Sequence, residues 1–349
     1  MAVSVSVVIC AYTEDRWEDI CSAVASVGQQ THPPCEMILV VDHNPELLAR
    51  IALRLQHVQA IPNDGALGLA DARNTGVAAA RGDVVAFLDD DARADPQWLA
   101  ALCRHYGDQQ VLGVGGRVDP GWVGRRPSWF PPEFDWVVGC SYVGSPLTLA
   151  PVRNPIGANM SFRRAVFEQV GGFTTGLGRE RTKPLGCEET EWCIRAVGAH
   201  PGHRVLMDPD AQVTHRVGPE RATWSYFVRR CYAEGISKRR VTKLTGTRAG
   251  LSTERPYVLH TLVRGVATNA RDAVTKREGA AALRAIAILV GLLVTSAGYV
   301  RAAFASGAPW RAEAQRTDHT AIEVINRTTH TTATQPHQHP SANQQRIGA

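Results

Sequence analysis

Asp83-Val84-Val85-Ala86-Phe87-Leu88-Asp89-Asp90-Asp91 is the stretch whose interpretation decides the fold. An apolar run this short, rich in Val and Phe and stopped by carboxylates, is a strand buried on both faces. Such strands belong to parallel sheets covered by helices on either side. The same pattern recurs upstream: Val3 to Cys10, Met37 to Val41 and Val58 to Ile61 are further strand-like runs. Between them the periodicity predicts helices over roughly 16–29, 45–56 and 69–80, closed by Gly28 with Pro33-Pro34 and by Arg81-Gly82. In sheets built from β-α-β units, ligands sit beyond the carboxyl ends of the strands. Three polar loops, Tyr12-Thr13-Glu14, Asp42-His43-Asn44 and Asp89-Asp90-Asp91, should therefore converge on one edge.

A hydrophobic share of 44% with 20% charged residues is globular, and excludes collagen-like, wholly disordered and multi-span membrane chains. The net charge of +5 is unevenly spread: −7 over residues 1–215, +10 over 216–284 and +2 over 285–349. An acidic body with a basic flank points to an anionic surface as partner, and the acidic body argues against nucleic acid. None of the eight cysteines forms a C-x-x-C pair, so reduced cytosolic thiols are expected rather than a zinc site or disulfide framework. The first ten residues lack a basic segment and begin a strand, not a signal peptide.

Residues 111–215 are less regular, with a helix expected over 188–197 and a strand over 205–207. Beyond His215 the pattern is helical: Trp224, Phe227, Val228, Cys231 and Tyr232 mark one face, and Pro256 opens a second amphipathic segment. The sixteen uncharged residues 285–300 span about 24 Å as a helix, short of a bilayer core of about 30 Å. Arg284 and Arg301 could snorkel and Tyr299 or Trp310 could sit at an interface, so a single span, an interfacial helix and a core helix all stay open. From about Arg316 the chain is rich in Thr, His, Gln and Asn, a composition of disorder.

Three adjacent carboxylates repel one another, and a hard divalent cation removes that cost. Mg2+ or Mn2+ held by one or two carboxylates and by phosphate oxygens is the usual arrangement for a nucleotide substrate; a solvated acidic turn is the plainer alternative. Glu188-Glu189 follows Gly186 at a predicted helix start, where free N–H groups and the macrodipole favour an ionised carboxylate. That is the state of a general base, although an acidic helix N-terminus is common without one.

Several motifs, in order, carry a resemblance: 5–12 (VSVVICAY), 68–76 (GLADARNTG), 81–91 (RGDVVAFLDDD), 154–163 (NPIGANMSFR), Gly171-Gly172-Phe173, then Glu188-Glu189 with Glu191, and His215. Together they resemble family 2 glycosyltransferases of the GT-A fold over about residues 3–240. The resemblance implies a Rossmann-like, mostly parallel sheet with flanking helices, to which the C-terminal helical region is added. It implies that Tyr12, Glu14 and Asp42 hold the nucleotide base, that Arg73 lies near the nucleotide, and that Asp89 and Asp91 meet ribose and metal. It implies His215 as a third metal ligand, suited to Mn2+, and Glu189 as the base, in place of the family's Asp. Gly157 and Asn159 would lie where donor sugar and acceptor meet. The expected organisation is 1–110 for the nucleotide-sugar half, 111–215 for the acceptor half, 216–280 for basic helices, 281–310 for an apolar helix or anchor, and 316–349 for a disordered tail.

The expected activity is inverting, metal-dependent transfer from a nucleotide-sugar donor to a lipid-linked sugar or growing glycan. The basic flank and apolar segment place it on the cytoplasmic face of the plasma membrane, peripheral or single-span, or otherwise in the cytoplasm. A catalytically inactive nucleotide-sugar-binding or scaffold protein is the alternative. A nicotinamide oxidoreductase is disfavoured, since no G-x-G-x-x-G follows the first strand.

Overall fold

In a computed structural model of the chain, residues 3–179 and 184–305 are described. Trp310 and the tail from 316 lie outside them. The first half alternates as expected: β1 (Val5–Ala11), α1 (Trp17–Gly28), β2 (Glu36–Val41), α2 (Pro45–Arg54), β3 (Gln59–Pro62), α3 (Leu69–Ala79) and β4 (Val84–Asp89). Pro45 begins α2, and the Asn44 side chain accepts a hydrogen bond from the Leu47 N–H. After β4 come β5 (Ala92–Ala94), α4 (Trp98–Cys103), β6 (Val111–Trp122), β7 (Ala150–Val152), β8 (Asn159–Arg163), α5 (Arg164–Val170), α6 (Glu188–Ala199) and β9 (Arg204–Val217).

Among the described residues nine strands form one sheet in the order β3-β2-β1-β4-β8-β6-β9-β5, with β7 also paired to β9. The half from β3 to β4 is parallel. Beyond it the sheet is mixed, because β8 runs antiparallel to both β4 and β6 while β6 and β9 run parallel. Alternate residues of β1 feed two cores: Val5, Val7 and Ile9 face α1, and Val8 faces α3. The register sets Ala11 beside Val41 and Cys10 beside Asp89, so the three polar loops do leave one edge of the sheet at the same level.

One strand exceeds its expected extent, and another, β6, was not expected at all. β9 runs fourteen residues through Pro209, which falls where the register with β6 slips between Asp208 and Gln212. β6 is rich in glycine because backbone passes close on both sides: a Cβ at Gly116 would overlap the Ala211 carbonyl oxygen.

The C-terminal part is helical: α7 (Trp224–Thr245), short turns α8 (Thr247–Gly250) and α9 (Glu254–Pro256), a π-helical turn over 257–262, α10 (Val263–Thr275) and α11 (Gly279–Phe304). Thr223 caps α7 through the Tyr226 N–H. α11 has 26 residues, about 39 Å at 1.5 Å per residue, and is long and apolar enough to cross a membrane. It extends past Arg284 and Arg301, and Arg284 is tied to Asn269, Glu278 and the Ser128 carbonyl. One face lies against α7 and α10, and Gly298 meets the Tyr232 backbone so closely that a Cβ would collide with its carbonyl oxygen. The opposite side leaves Leu283, Ile286, Leu289, Leu293, Val300 and Phe304 exposed.

Candidate active site

The edge where β1, β2 and β4 end carries the predicted acids. Asp89, the last residue of β4, is half-buried and accepts a 3.2 Å bond from Arg73. Arg73 projects from α3, is 2% exposed, and also donates to Glu188 at 2.6 Å and to the Gly157 carbonyl at 3.1 Å. One guanidinium thus ties together three segments that are 16, 84 and 115 residues away in sequence.

Asp90 and Asp91 lie in the turn that follows, and both are buried. Arg16 meets Asp90 at 2.6 Å and Asp91 at 3.3 Å, while Arg221 donates to Asp91 at 2.8 Å. His215 Nε2 stands 2.9 Å from the other Asp91 oxygen. The repulsion among these carboxylates is therefore offset by arginines, where their spacing had suggested a cation. Burial pushes the Asp90 carboxyl up to about 7 in spite of Arg16, and its Oδ2 has no partner. Burial would also raise Asp91, but His215 and Arg221 outweigh it and hold that carboxyl well below its usual range.

Ligand atoms of Asp89, Asp91 and His215 lie within 4.8 Å of one another. Two carboxylate oxygens and an imidazole nitrogen in that space make a donor set suited to one divalent ion such as Mn2+.

The second acidic pair behaves differently from its sequence expectation. Cys187 takes a left-handed conformation (φ 75°) at the N-cap of α6, turning the chain so that Glu188 and Glu189 open the helix. Glu188 is locked to Arg73, with Oε2 unpartnered. Burial and the neighbouring Glu188 push the Glu189 carboxyl up to about 8, against the pull of Arg73. The helix N-terminus does not keep it readily ionised, because desolvation wins. Glu189 lines a cavity of about 830 Å³ together with Asp89, Arg73 and Glu188.

The remaining predicted residues are placed less centrally. Tyr12 is exposed at the end of β1 with Arg16 stacked 5.3 Å from its ring centroid. Asp42 accepts from Asn63 at 2.7 Å and from the Gly68 N–H at 3.0 Å, so it pins the loop before α3. Glu14 turns outward to Arg50 at 3.5 Å. Asn159 is not in the loop where sugars would meet: it is fully buried at the start of β8 and engaged by Trp98 and the Arg117 and Ala211 carbonyls. Its neighbour Gly157 does line the cavity. Sequence reasoning missed Arg16 and Arg221. No motif marks either, and only the paired charges in space reveal them.

The model of glycosyl transferase family 2 matches residues 6–171. A glucosyl-dolichyl phosphate glucuronosyltransferase from Haloferax volcanii is 38% identical over 241 residues, covering 68% of this chain and 77% of that protein. The chain belongs to glycosyl transferase family 2, and it is a glycosyltransferase. Its fold is GT-A. The mannosyltransferase PcManGT from Pyrobaculum calidifontis, solved with GDP-Man and Mn2+, superposes with a TM-score of 0.51 at 18% identity, covering 95% of this chain and 84% of that one. GalNAc-T7, solved with UDP, GalNAc and Mn2+, gives a TM-score of 0.51 at 17% identity over 74% of this chain and 58% of its own. Both similarities concern the fold.

Proposed function

We propose that the protein moves a sugar, with inversion, from a nucleotide-sugar donor to a lipid-linked sugar at a membrane surface. The observation that carries this is the shared cavity. Its wall includes Arg73, Asp89 and Glu189 and also Leu292, Thr295, Tyr299 and Val300 of α11, the helix whose outer face is exposed and apolar. A polar acceptor sugar and an apolar tail would both find surface there. The Haloferax relative, named for a dolichyl-phosphate acceptor, supports the same class.

In this scheme Asp89, Asp91 and His215 would hold Mn2+ or Mg2+. When bound, such an ion supplies positive charge beside the departing nucleoside diphosphate. Arg73, immobilised by Glu188 and Gly157, adds a fixed guanidinium at that point. Tyr12, Asp42 and, further out, Glu14 contact the nucleotide base. Glu189 takes the proton of the acceptor hydroxyl while that hydroxyl's oxygen attacks the anomeric carbon. The bond to the diphosphate breaks on the opposite face, so the configuration inverts without a sugar–enzyme bond.

Attachment in this reading is in the plane of the membrane. α11 is packed along one side on α7, and its exposed residues recur at steps of three, four and seven. The +10 charge over 216–284 favours the anionic cytoplasmic leaflet. The test is a panel of nucleotide-sugars with Mn2+ and glucosyl-dolichyl phosphate, with product read by mass and anomeric configuration by NMR. Retained configuration would overturn inversion, and donor turnover without transfer to lipid would overturn the acceptor class.

A further inference from the structure

Five charged side chains of the cavity wall take no part in the steps above. They form a ladder: Arg230 to Glu234 at 2.9 Å, Glu234 to Lys238 at 3.3 Å, Lys238 to Glu254 at 2.5 Å, and Glu254 to Arg153 at 3.0 Å. All five line the cavity that holds Glu189. Their side chains are between 10% and 21% exposed, so each charge has lost most of its water. Three cations stand against two carboxylates, leaving one positive charge in excess. A buried array of this kind is costly to keep for bracing alone, since apolar pairs of the same volume would hold the helices as well.

The ladder's position narrows its use. The turn of α7 around Glu234, the middle of the ladder, touches the residues leading into α6 on one side, where Cys187 Sγ meets Glu234 at 3.4 Å and the Gly186 N–H donates to Ser237 at 3.1 Å. Cys187 lies two residues before Glu189. On its other side the same turn meets α11 through Gly235, where a Cβ would overlap the Thr295 carbonyl oxygen. The charged wall thus joins the base to the apolar helix.

We propose that Arg153, Arg230 and Lys238 form the seat for an anionic phosphate that links the acceptor sugar to its lipid. This rests on the lipid-linked acceptor proposed above and adds the group by which the acceptor is recognised. Two guanidinium forks and an ammonium suit phosphate oxygens, and the two carboxylates hold the cations in place and offset two of the three charges when no phosphate is present.

The experiment compares two acceptors carrying the same sugar: a polyprenyl-phosphate glucose and dodecyl glucoside, which lacks the phosphate. Wild type, Arg153→Gln, Arg153→Lys and Lys238→Gln are assayed as full-length protein, with donor hydrolysis recorded in parallel. The proposal expects wild type to favour the phosphate-bearing acceptor at least about tenfold in kcat/KM. It expects that preference to collapse in the two Gln variants and to return in part in Arg153→Lys. A wild type without preference, or variants in which both acceptors fall by the same factor, overturns the phosphate seat and leaves the lipid-linked reading standing. Donor hydrolysis with transfer to neither acceptor overturns that reading, and the seat with it.

Discussion

Glu189 and Asp91 look alike in sequence, yet their surroundings drive them in opposite directions, one up to about 8 and the other well below the usual carboxylate range. In its proposed role as base, Glu189 must be deprotonated to act. Turnover should therefore rise with pH and level off above about 8, and an acid limb near an ordinary glutamate's value would refute the burial account. Glu189→Gln should lower kcat by about a hundredfold or more while donor affinity, measured by calorimetry, stays within a few-fold. At the proposed metal site the informative substitution is Asp89→Asn, because Asp89 is half-buried and its Arg73 partner keeps Glu188. It should abolish Mn2+ binding with little change in Tm. Asp91→Ala should cost about 3–5 kcal/mol of stability as well, since it strands the buried Arg221. Equal melting temperatures for the two variants would contradict the ion network.

At the scale of elements, glycine placement separates what the sequence discloses from what it hides. Gly298 abuts the Tyr232 carbonyl, whereas Gly279 has open space around it. Gly298→Ala should lower stability by about 1–3 kcal/mol, and Gly279→Ala should not, as thermal melts would show. α1, α2, α3 and β1 to β4 were legible because each keeps a single period and ends in a turn signal. The triple carboxylate was legible because an apolar strand leads straight into it. β6 was not, because its glycines serve neighbours distant in sequence: Ala211 at Gly116, Pro155 at Gly115 and Phe162 at Gly113. The Arg73–Glu188 bond, 115 residues apart, was equally invisible, and so was the raised Glu189. Local pattern reports period and punctuation, while desolvation depends on what the rest of the chain brings near.

Taken whole, the described residues pack as one unit in which α11 is both cavity wall and outer apolar face. It packs on α7 and lines the cavity, so a truncation before residue 281 would remove part of that wall. Vesicles containing anionic lipid should sediment the full-length protein, and high salt should weaken this only partly. Leu289 and Leu293 would each contribute about 1.5–3 kcal/mol of burial, so Leu289→Lys with Leu293→Lys should reduce partitioning by about a hundredfold. Unchanged sedimentation would place this face elsewhere. If α11 rests on the bilayer as proposed while also closing the cavity, that has a kinetic consequence. An acceptor arriving along that surface is met in two dimensions, so the rate should track its mole fraction among the lipids rather than its molarity in the suspension. Adding inert lipid at constant acceptor would then slow the enzyme, although nothing in the water had been diluted.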